Sequence, residues 1–389
     1  MNKKFGLPVF LIAVVAAAAL GFGAAWALGY ARYDASDRLL AEAKEKIETQ
    51  FVGTYDGKAV EDGAISGMVG ALNDRWSYYL NAEDYKAHVD AVNNSYVGIG
   101  ITVEQNQEGD GLIITKVQPS SPAAKSGLKA GDCITGADGT AFQGSHLSKI
   151  KKMIMGKEGS GVTLTVRRAN GKIQQMTLVR EEVTVIPVTA RMLDGQTGYV
   201  KISNFDKTAG DHLIQAADAL RQQGARRLVF DVRNNPGGML TELLKTLDYL
   251  LPQGPTFVSK DYTGKETTYT SDKSCVNLPI AVLVNGDSYS AAEFFAAALQ
   301  ESGHGIVVGT KTCGKGYSQT PVMLSDGSAV MLSTAAYYTA NHRSLIGTGV
   351  TPNVAIALSK EDNALLLAEK LPDASDSQLQ RAIAALEKE

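Results

Sequence analysis

The chain has 389 residues, with 38 Lys and Arg against 41 Asp and Glu for a net charge of −3, and only 3 cysteines and 5 histidines. That length suits two or three domains with ample core, and near-neutral charge without a long basic stretch excludes a general nucleic-acid binder, which needs clustered cations against phosphate. Cys133, Cys275 and Cys313 match no zinc-ligand spacing and cannot all pair with one another, so neither a zinc knuckle nor a disulfide framework is indicated.

Residues 5–31 carry no charge and follow Lys3 and Lys4. The run is longer than the roughly 7 to 15 apolar residues of a cleavable signal and exceeds the roughly 20 that a transmembrane helix needs. The expectation is an uncleaved signal anchor over residues 1–33, with Ala25-Trp26-Ala27 as the competing cleavage site. Both readings keep the lysines in the cytoplasm and the rest of the chain outside it. Residues 34–94 read as a helical region, with Leu40, Ala43, Ile47 and Phe51 on one face. That stripe is either intradomain core or a homodimer contact beside the membrane. An aromatic-rich turn, Asn73-Asp74-Arg75-Trp76-Ser77-Tyr78-Tyr79-Leu80, interrupts the pattern.

Over residues 95–182 the period changes to two. Residues 162–166 and 172–179 read as a hairpin across Ala169-Asn170-Gly171. Inside this β unit, Leu147, Ile150, Met153 and Ile154 mark a short helix with Ser145 as its cap. Over residues 183–360 strands alternate with helices: 199–202, 228–232, 280–284 and 306–308 read extended, and 212–222, 239–251 and 291–300 helical. A βαβ series of this kind is an α/β domain, whose function belongs at the strand ends. Residues 361–389 read as helical and charged, without recognisable chemistry.

Residues 309–316 nearly spell a phosphate-binding loop, but Lys315 is followed by Gly316 rather than Ser or Thr, and residues 317–323 read extended rather than helical. No G-x-S-x-G elbow surrounds a serine. His88, His146, His212, His304 and His342 have no nearby nucleophile and read as surface or structural residues. A histidine base is not required, because burial lowers the pKa of a lysine. Ser290 follows an apolar strand and opens a helix, so it stands at the positive end of a helix dipole, where the amide of Ala291 can donate to an oxyanion. Taken alone, Ser288 or Ser290 reads equally well as a helix cap.

The stretch Asn285-Gly286-Asp287-Ser288-Tyr289-Ser290-Ala291-Ala292-Glu293, followed by Val308-Gly309 and Gly314-Lys315-Gly316-Tyr317-Ser318-Gln319, resembles the carboxyl-terminal processing proteases, tail-specific serine peptidases with a Ser-Lys pair. Asp231-Val232-Arg233-Asn234-Asn235-Pro236-Gly237-Gly238, Gly347-Thr348-Gly349-Val350-Thr351-Pro352-Asn353 and the aromatic turn extend the resemblance. Tyr96-Val97-Gly98-Ile99-Gly100-Ile101 and residues 120–132 are similar to the PDZ module of that family. The resemblance implies an α/β, ClpP/crotonase-like peptidase core with a PDZ-like β module inserted over residues 95–182. It implies Ser290 as nucleophile, Lys315 as general base and Gln319 as the residue orienting the lysine. Ala291 and either Gly237 or Gly238 would supply the oxyanion amides, and Val97, Gly98, Ile99 and Gly100 would receive a substrate's C-terminal carboxylate. The implied protein is a single-pass membrane enzyme acting on protein tails at the bacterial cell surface or in the periplasm, without metal or organic cofactor. A PDZ scaffold that binds tails without cutting them and a Ser-His-Asp protease are the rival readings. Tyr289, Cys313 and Asn353 depart from the family pattern without removing a catalytic group.

Overall fold

The computed structural model describes residues 35–106, 109–143 and 147–387. The run read as an anchor lies outside these, as do Ser145 and His146; among the described residues no helix is long and apolar enough to cross a membrane. The chain divides into two compact units, Met1–Ile65 and Ser66–Glu389. In the first, α1 (Ala35–Gln50) meets the start of α2 (Gly57–Gly70) through Lys44 Nζ and Glu61 Oε1 at 2.5 Å. The apolar stripe of α1 is not the intradomain core that its spacing suggests, since Leu40, Ile47 and Phe51 are 49, 38 and 57% exposed.

The second unit opens with β1 (Tyr78–Leu80) and α3 (Ala82–Val92), whose cap Asn81 accepts from the Asp84 amide at 2.9 Å. A β module follows: β2 (Ser95–Gly98), β3 (Ile101–Gln105), β4 (Leu112–Val117), α4 (Pro122–Lys125), β5 (Cys133–Ala137), β6 (Thr140–Ala141), α5 (Leu147–Ile154), β7 (Gly161–Arg167), β8 (Ile173–Val179) and β9 (Glu181–Thr184). Its sheet runs β3-β4-β5-β7-β8, and β2 pairs with β9 so that the module enters and leaves at one place. The β7–β8 hairpin forms as the alternation predicts, with Val162, Leu164 and Val166 turned onto a core that includes Ile99, Leu112, Ile134, Phe142 and Ile150. The amide of Val185 returns to the carbonyl of Asn94 at 2.7 Å, so the module is an insertion.

The remaining elements are β10 (Val188–Met192), β11 (Thr197–Ile202), α6 (Ala209–Gln222), β12 (Arg227–Asp231), α7 (Leu240–Leu250), β13 (Gly254–Asp261), β14 (Glu266–Ser271), β15 (Ile280–Val284), α8 (Ala291–Glu301), β16 (Gly305–Gly309), β17 (Tyr317–Met323), β18 (Ala329–Thr339), β19 (Val354–Ala355), α9 (Lys360–Leu367), a 3₁₀ turn (Asp373–Ser375) and α10 (Ser377–Leu386). The main sheet has the order β10-β11-β12-β15-β16-β19, parallel except at the β10 edge. Both faces are covered. Phe230, Val282 and Val284 pack with Leu213, Leu243, Leu247 and Phe295 on one side, while Val229, Ala281 and Leu283 pack with Leu379, Ala382 and Leu386 of α10 on the other.

A second, antiparallel sheet of order β1-β18-β13-β14, with β17 added on β18, is absent from the sequence reading apart from its extended β17. It matters for the site. Pairing of Tyr78 with Met331 brings the aromatic turn to the same β18 that holds β17, directly after the Lys315 loop.

Candidate active site

Between β15 and α8 the chain turns through Asn285 to Ser290. Ser288 is fully buried, donating from Oγ to the Val232 carbonyl at 2.6 Å and accepting from the Asn285 amide at 3.0 Å, so it is structural. Ser290 is half-buried at the N-cap of α8 with φ 57 and ψ −124, a backbone conformation that costs a non-glycine residue about 1–3 kcal/mol and persists only when its surroundings impose it.

What imposes it is Glu293. This carboxylate has no exposed surface, and its Oε2 accepts from the amides of Ser290 at 3.0 Å and Lys315 at 2.8 Å. Its Oε1 accepts from the Gly314 amide at 2.7 Å and the Thr312 hydroxyl at 2.5 Å. One side chain therefore fixes the backbones of both residues expected to react. Burial pushes Glu293 up, and the four donors, which pull the other way, leave it above the usual carboxylate range.

Lys315 lies in an irregular loop between β16 and β17, with no helix behind it, which removes the phosphate-loop reading. The flanking glycines let the loop press on residues 346–347: a Cβ on Gly314 would come 3.0 Å from the Gly347 amide nitrogen, and one on Gly316 2.6 Å from Ile346 Cγ1. Lys315 Nζ sits over the Trp76 ring, 4.5 Å from its centroid, and 5.8 Å from that of Tyr289. Burial pushes its pKa below the ordinary lysine value; Cys313, Asp74 and Glu293 oppose this and Arg75 adds to it. No hydrogen bond joins Lys315 Nζ to Ser290 Oγ among the described residues. Gln319 does not reach the lysine either, because its Nε2 donates to Ser333 Oγ at 3.0 Å and the Tyr317 carbonyl at 3.3 Å. Arg75 also lies over the Trp76 ring, 4.2 Å from its centroid, and its Nη2 donates to Cys313 Sγ at 3.1 Å.

The glycine loop expected to supply an oxyanion amide is held from two sides. Asn234 and Asn285 exchange two hydrogen bonds at 2.9 and 2.7 Å, and Asn235 Nδ2 donates to the Ile202 carbonyl at 2.7 Å. Gly237 has φ 89, and a Cβ on it would fall 2.8 Å from Ser290 Cβ, the Ala291 amide and the Tyr289 carbonyl, so only glycine fits against the Ser290 turn. The Gly237 amide is engaged, donating to Asn235 Oδ1 at 2.8 Å. The amides of Gly238 and Ala291 have no acceptor among the described residues.

The root of that loop is buried and charged. Arg233 binds Asp231 at 2.6 Å and Asp376 at 2.7 Å, and also Gln378 at 3.0 Å, while the Tyr199 hydroxyl donates to Asp231 at 2.7 Å. Burial alone would lower Arg233 and raise Asp231, but their mutual attraction and the hydrogen bonds between them reverse both. Asp376 and Gln378 come from the C-terminal stretch in which the sequence shows no chemistry. No local pattern reveals them, since Asp376 and Arg233 are 143 residues apart.

Ser290, Lys315, Gln319, Gly237 and Gly238 all line one cavity of about 640 Å³. His88, read as a surface or structural residue, lines it too, stacked on Tyr85 with centroids 6.4 Å apart and held by burial below the ordinary histidine value. Of the departing residues, Tyr289 packs on Trp76 at 5.8 Å, and Asn353 Oδ1 accepts from the Val307 amide at 2.8 Å.

The contact of Lys315 with Trp76 has a measurable consequence. A cation over an indole gains about 0.5–2 kcal/mol, and about 1.4 kcal/mol is one pH unit. With Lys315 as the expected general base, Trp76→Leu should therefore move the midpoint of the rate's rise with pH down by roughly half to one and a half pH units. An unmoved midpoint would show that the ammonium leaves the ring before the rate-limiting step.

Comparison with known proteins agrees with this architecture. The model of peptidase family S41 matches residues 196–356, and that of the PDZ domain residues 97–179. The carboxy-terminal processing protease CtpA of Bacillus subtilis is 32% identical over 317 residues, 81% of this chain and 68% of that protein. A protein of Staphylococcus aureus named "Probable CtpA-like serine protease" is 32% identical over 318 residues, and the chain spans 63% of its length. Among solved structures, the photosystem II D1 C-terminal processing protease superposes with a TM-score of 0.51 at 28% identity, over 88% of this chain and 92% of that one. Fold and cleft define a PDZ-containing peptidase architecture. The chain belongs to peptidase family S41, among its carboxy-terminal processing proteases.

Proposed function

We propose that this chain is a membrane-anchored, extracytoplasmic serine endopeptidase that takes protein C-terminal tails through its PDZ module and cuts them with a Ser-Lys pair. The observation that carries this reading is the one cleft lined by Ser290, Lys315 and Gly238, with the unengaged Ala291 amide next to Ser290 and both reacting backbones tied to Glu293. Lys315 leaves the Trp76 face by rotation about its side-chain torsions and takes the Oγ proton as Ser290 attacks the scissile carbonyl. The amides of Gly238 and Ala291 hold the oxyanion. The resulting lysine ammonium protonates the leaving amine as the C–N bond breaks, and water, deprotonated in turn by Lys315, releases the acyl group. Gln319 orients the lysine once it has swung toward Ser290. A fluorophosphonate probe applied to the full-length, detergent-solubilised protein should label Ser290 and leave Ser290→Ala unlabelled. Labelling at another serine, or none while peptides are cut, would overturn the assignment.

The PDZ reading draws support from the loop at Val97 to Gly100. Gly100 has φ 83, and a Cβ there would lie 2.1 Å from Ser121 Cβ, so a side chain has no room. The Ile99 carbonyl accepts from the Ala123 amide at 2.8 Å and that of Gly100 from Gln118 at 2.9 Å. The amides of Ile99 and Gly100 have no acceptor among the described residues, as a carboxylate nest requires. A substrate with an amidated C-terminus should be cleaved at least about tenfold more slowly than its free acid, a charge-assisted hydrogen bond being worth roughly 1.5–3 kcal/mol. Equal rates would end the tail-reading assignment.

Anchoring rests on the uncharged residues 5–31, and homodimer formation on the exposed face of Leu40, Ile47 and Phe51. The mature protein should keep its N-terminus in the membrane fraction. A soluble product beginning near Leu28 would show cleavage after Ala25-Trp26-Ala27 instead.

A further inference from the structure

Asp206 is the one acidic residue among those lining the cleft of Ser290 and Lys315. Its neighbour Phe205 forms an isolated parallel bridge with Gly238, donating from its amide to the Gly237 carbonyl at 2.7 Å and accepting from the Met239 amide at 2.8 Å. A Cβ on Gly238 would fall 2.7 Å from the Asp206 amide nitrogen, and one on Gly237 2.8 Å from Ser290 Cβ. Asp206 and the nucleophile thus flank the same two-glycine loop. The Asp206 amide donates to Asn204 Oδ1 at 3.1 Å, while its carboxylate has neither a hydrogen bond nor an ion pair among the described residues. No cation of the described residues pairs with this carboxylate, and the wall beside it is apolar: Val92 accepts from the Lys207 amide at 3.0 Å, Met239 follows the bridge, and both line the cavity.

An unpaired, half-buried carboxylate is costly unless something charged or polar meets it. A substrate can supply the missing partner. We propose that Asp206 determines specificity for a basic side chain, so that a lysine or arginine one to three residues from the scissile bond lies along Val92 and Met239 and sets its charge on the Asp206 carboxylate. The inference rests on the peptidase reading above. An extended peptide advances about 3.3 Å per residue, and one loop's width separates Asp206 from Ser290, which keeps the site near the cut. Long basic side chains bury their stems along apolar surface and leave the charged head for a polar partner.

The charge of Asp206 also changes in a testable range. Burial pushes its carboxyl up to about 7, so it gains its charge, and its attraction for a cation, as pH rises through neutrality. Of the other groups in the cavity, Lys315 and His88 are held below their ordinary values by burial, and Tyr78, Tyr289 and Tyr337 are raised by burial and stay neutral. Lys207, next in the chain, is exposed.

The test uses the full-length protein in detergent and a library of peptides with free C-termini, followed by matched peptides carrying lysine or norleucine at the selected position. The ratio of their kcat/KM values cancels any general change in activity, including the titration of Lys315. Wild-type protein at pH 8.5 should favour lysine by about tenfold, the equivalent of one well-formed charged contact, and by about twofold or less at pH 6. Asp206→Asn should bring the ratio near one at both pH values. Absence of lysine or arginine enrichment within three positions of the cut, or a preference that survives in Asp206→Asn, overturns the inference while leaving the peptidase reading intact. A library left uncut by a protein whose Ser290 takes no probe would remove the peptidase reading itself, and this inference with it.

Discussion

Lys315→Arg is expected to be as inactive as Lys315→Ala, with both losing about 10²–10⁴-fold in kcat, the usual contribution of a positioned general base. The argument separates charge from proton transfer. Arginine keeps a cation for the Trp76 face, where Lys315 Nζ lies 4.5 Å from the ring centroid, so the packing of the loop survives. Its guanidinium cannot give up a proton at any working pH and so cannot accept one from Ser290. Lysine can, because burial lowers its pKa from the ordinary value. The wild-type rate should accordingly rise with pH, as the neutral amine becomes populated below the range in which a free lysine titrates, and fall as pH drops and the ammonium returns. Stopped assays of kcat across pH, alongside circular dichroism to confirm folding, make the comparison. Appreciable turnover by folded Lys315→Arg would eliminate the lysine base and turn attention to His88, the histidine that lines the cleft.

How far the sequence discloses this site depends on the distance over which each contact is made. Residues 280–284 form a continuous apolar run because β15 is buried on both faces, and that run announces a parallel strand directly. Ser290 and Lys315 follow β15 and β16, so motif and topology point to them together. The antiparallel sheet is hidden because most of β18 is half-buried on both sides, leaving no alternation to read. The choice between Gly237 and Gly238 turns on one hydrogen bond from the Gly237 amide to Asn235 Oδ1, which spacing cannot reveal. Trp76 over Lys315 and Asp376 on Arg233 join residues distant in the chain, and neither pair leaves a local pattern. The stripe on α1 is legible as a stripe but not as core, since amphipathic spacing says that a face is apolar and not what covers it.

Glu293→Gln should reduce kcat by about 10²-fold, the scale of loss expected when reacting groups are displaced by about 1 Å, while KM changes by no more than a few-fold. The geometry explains why an isosteric change is damaging. Each carboxylate oxygen receives two donors, and an amide keeps only one accepting oxygen. The better orientation puts the new NH₂ toward Thr312, whose hydroxyl can turn to accept, and leaves the Gly314 amide without an acceptor. That loses about 1–3 kcal/mol locally and loosens the loop immediately before Lys315. Stability should respond less than rate, because two effects oppose there. Burial raises Glu293 above the usual carboxylate range, so its ionised form costs stability that is fully spared only at acid pH and is lost as pH rises through its folded-state pKa. Glutamine removes that cost while removing an acceptor. In kcat the effects do not oppose, since the glutamine does nothing to restore the register between Ser290, strained at φ 57, and Lys315. Denaturant melts at pH 8 should therefore move little while kcat falls, and Glu293→Asp, one methylene too short to reach both loops, should fall with it. A variant that loses stability and activity in proportion, with the probe still labelling Ser290 at the wild-type rate in the folded fraction, would reduce Glu293 to a buried structural acid.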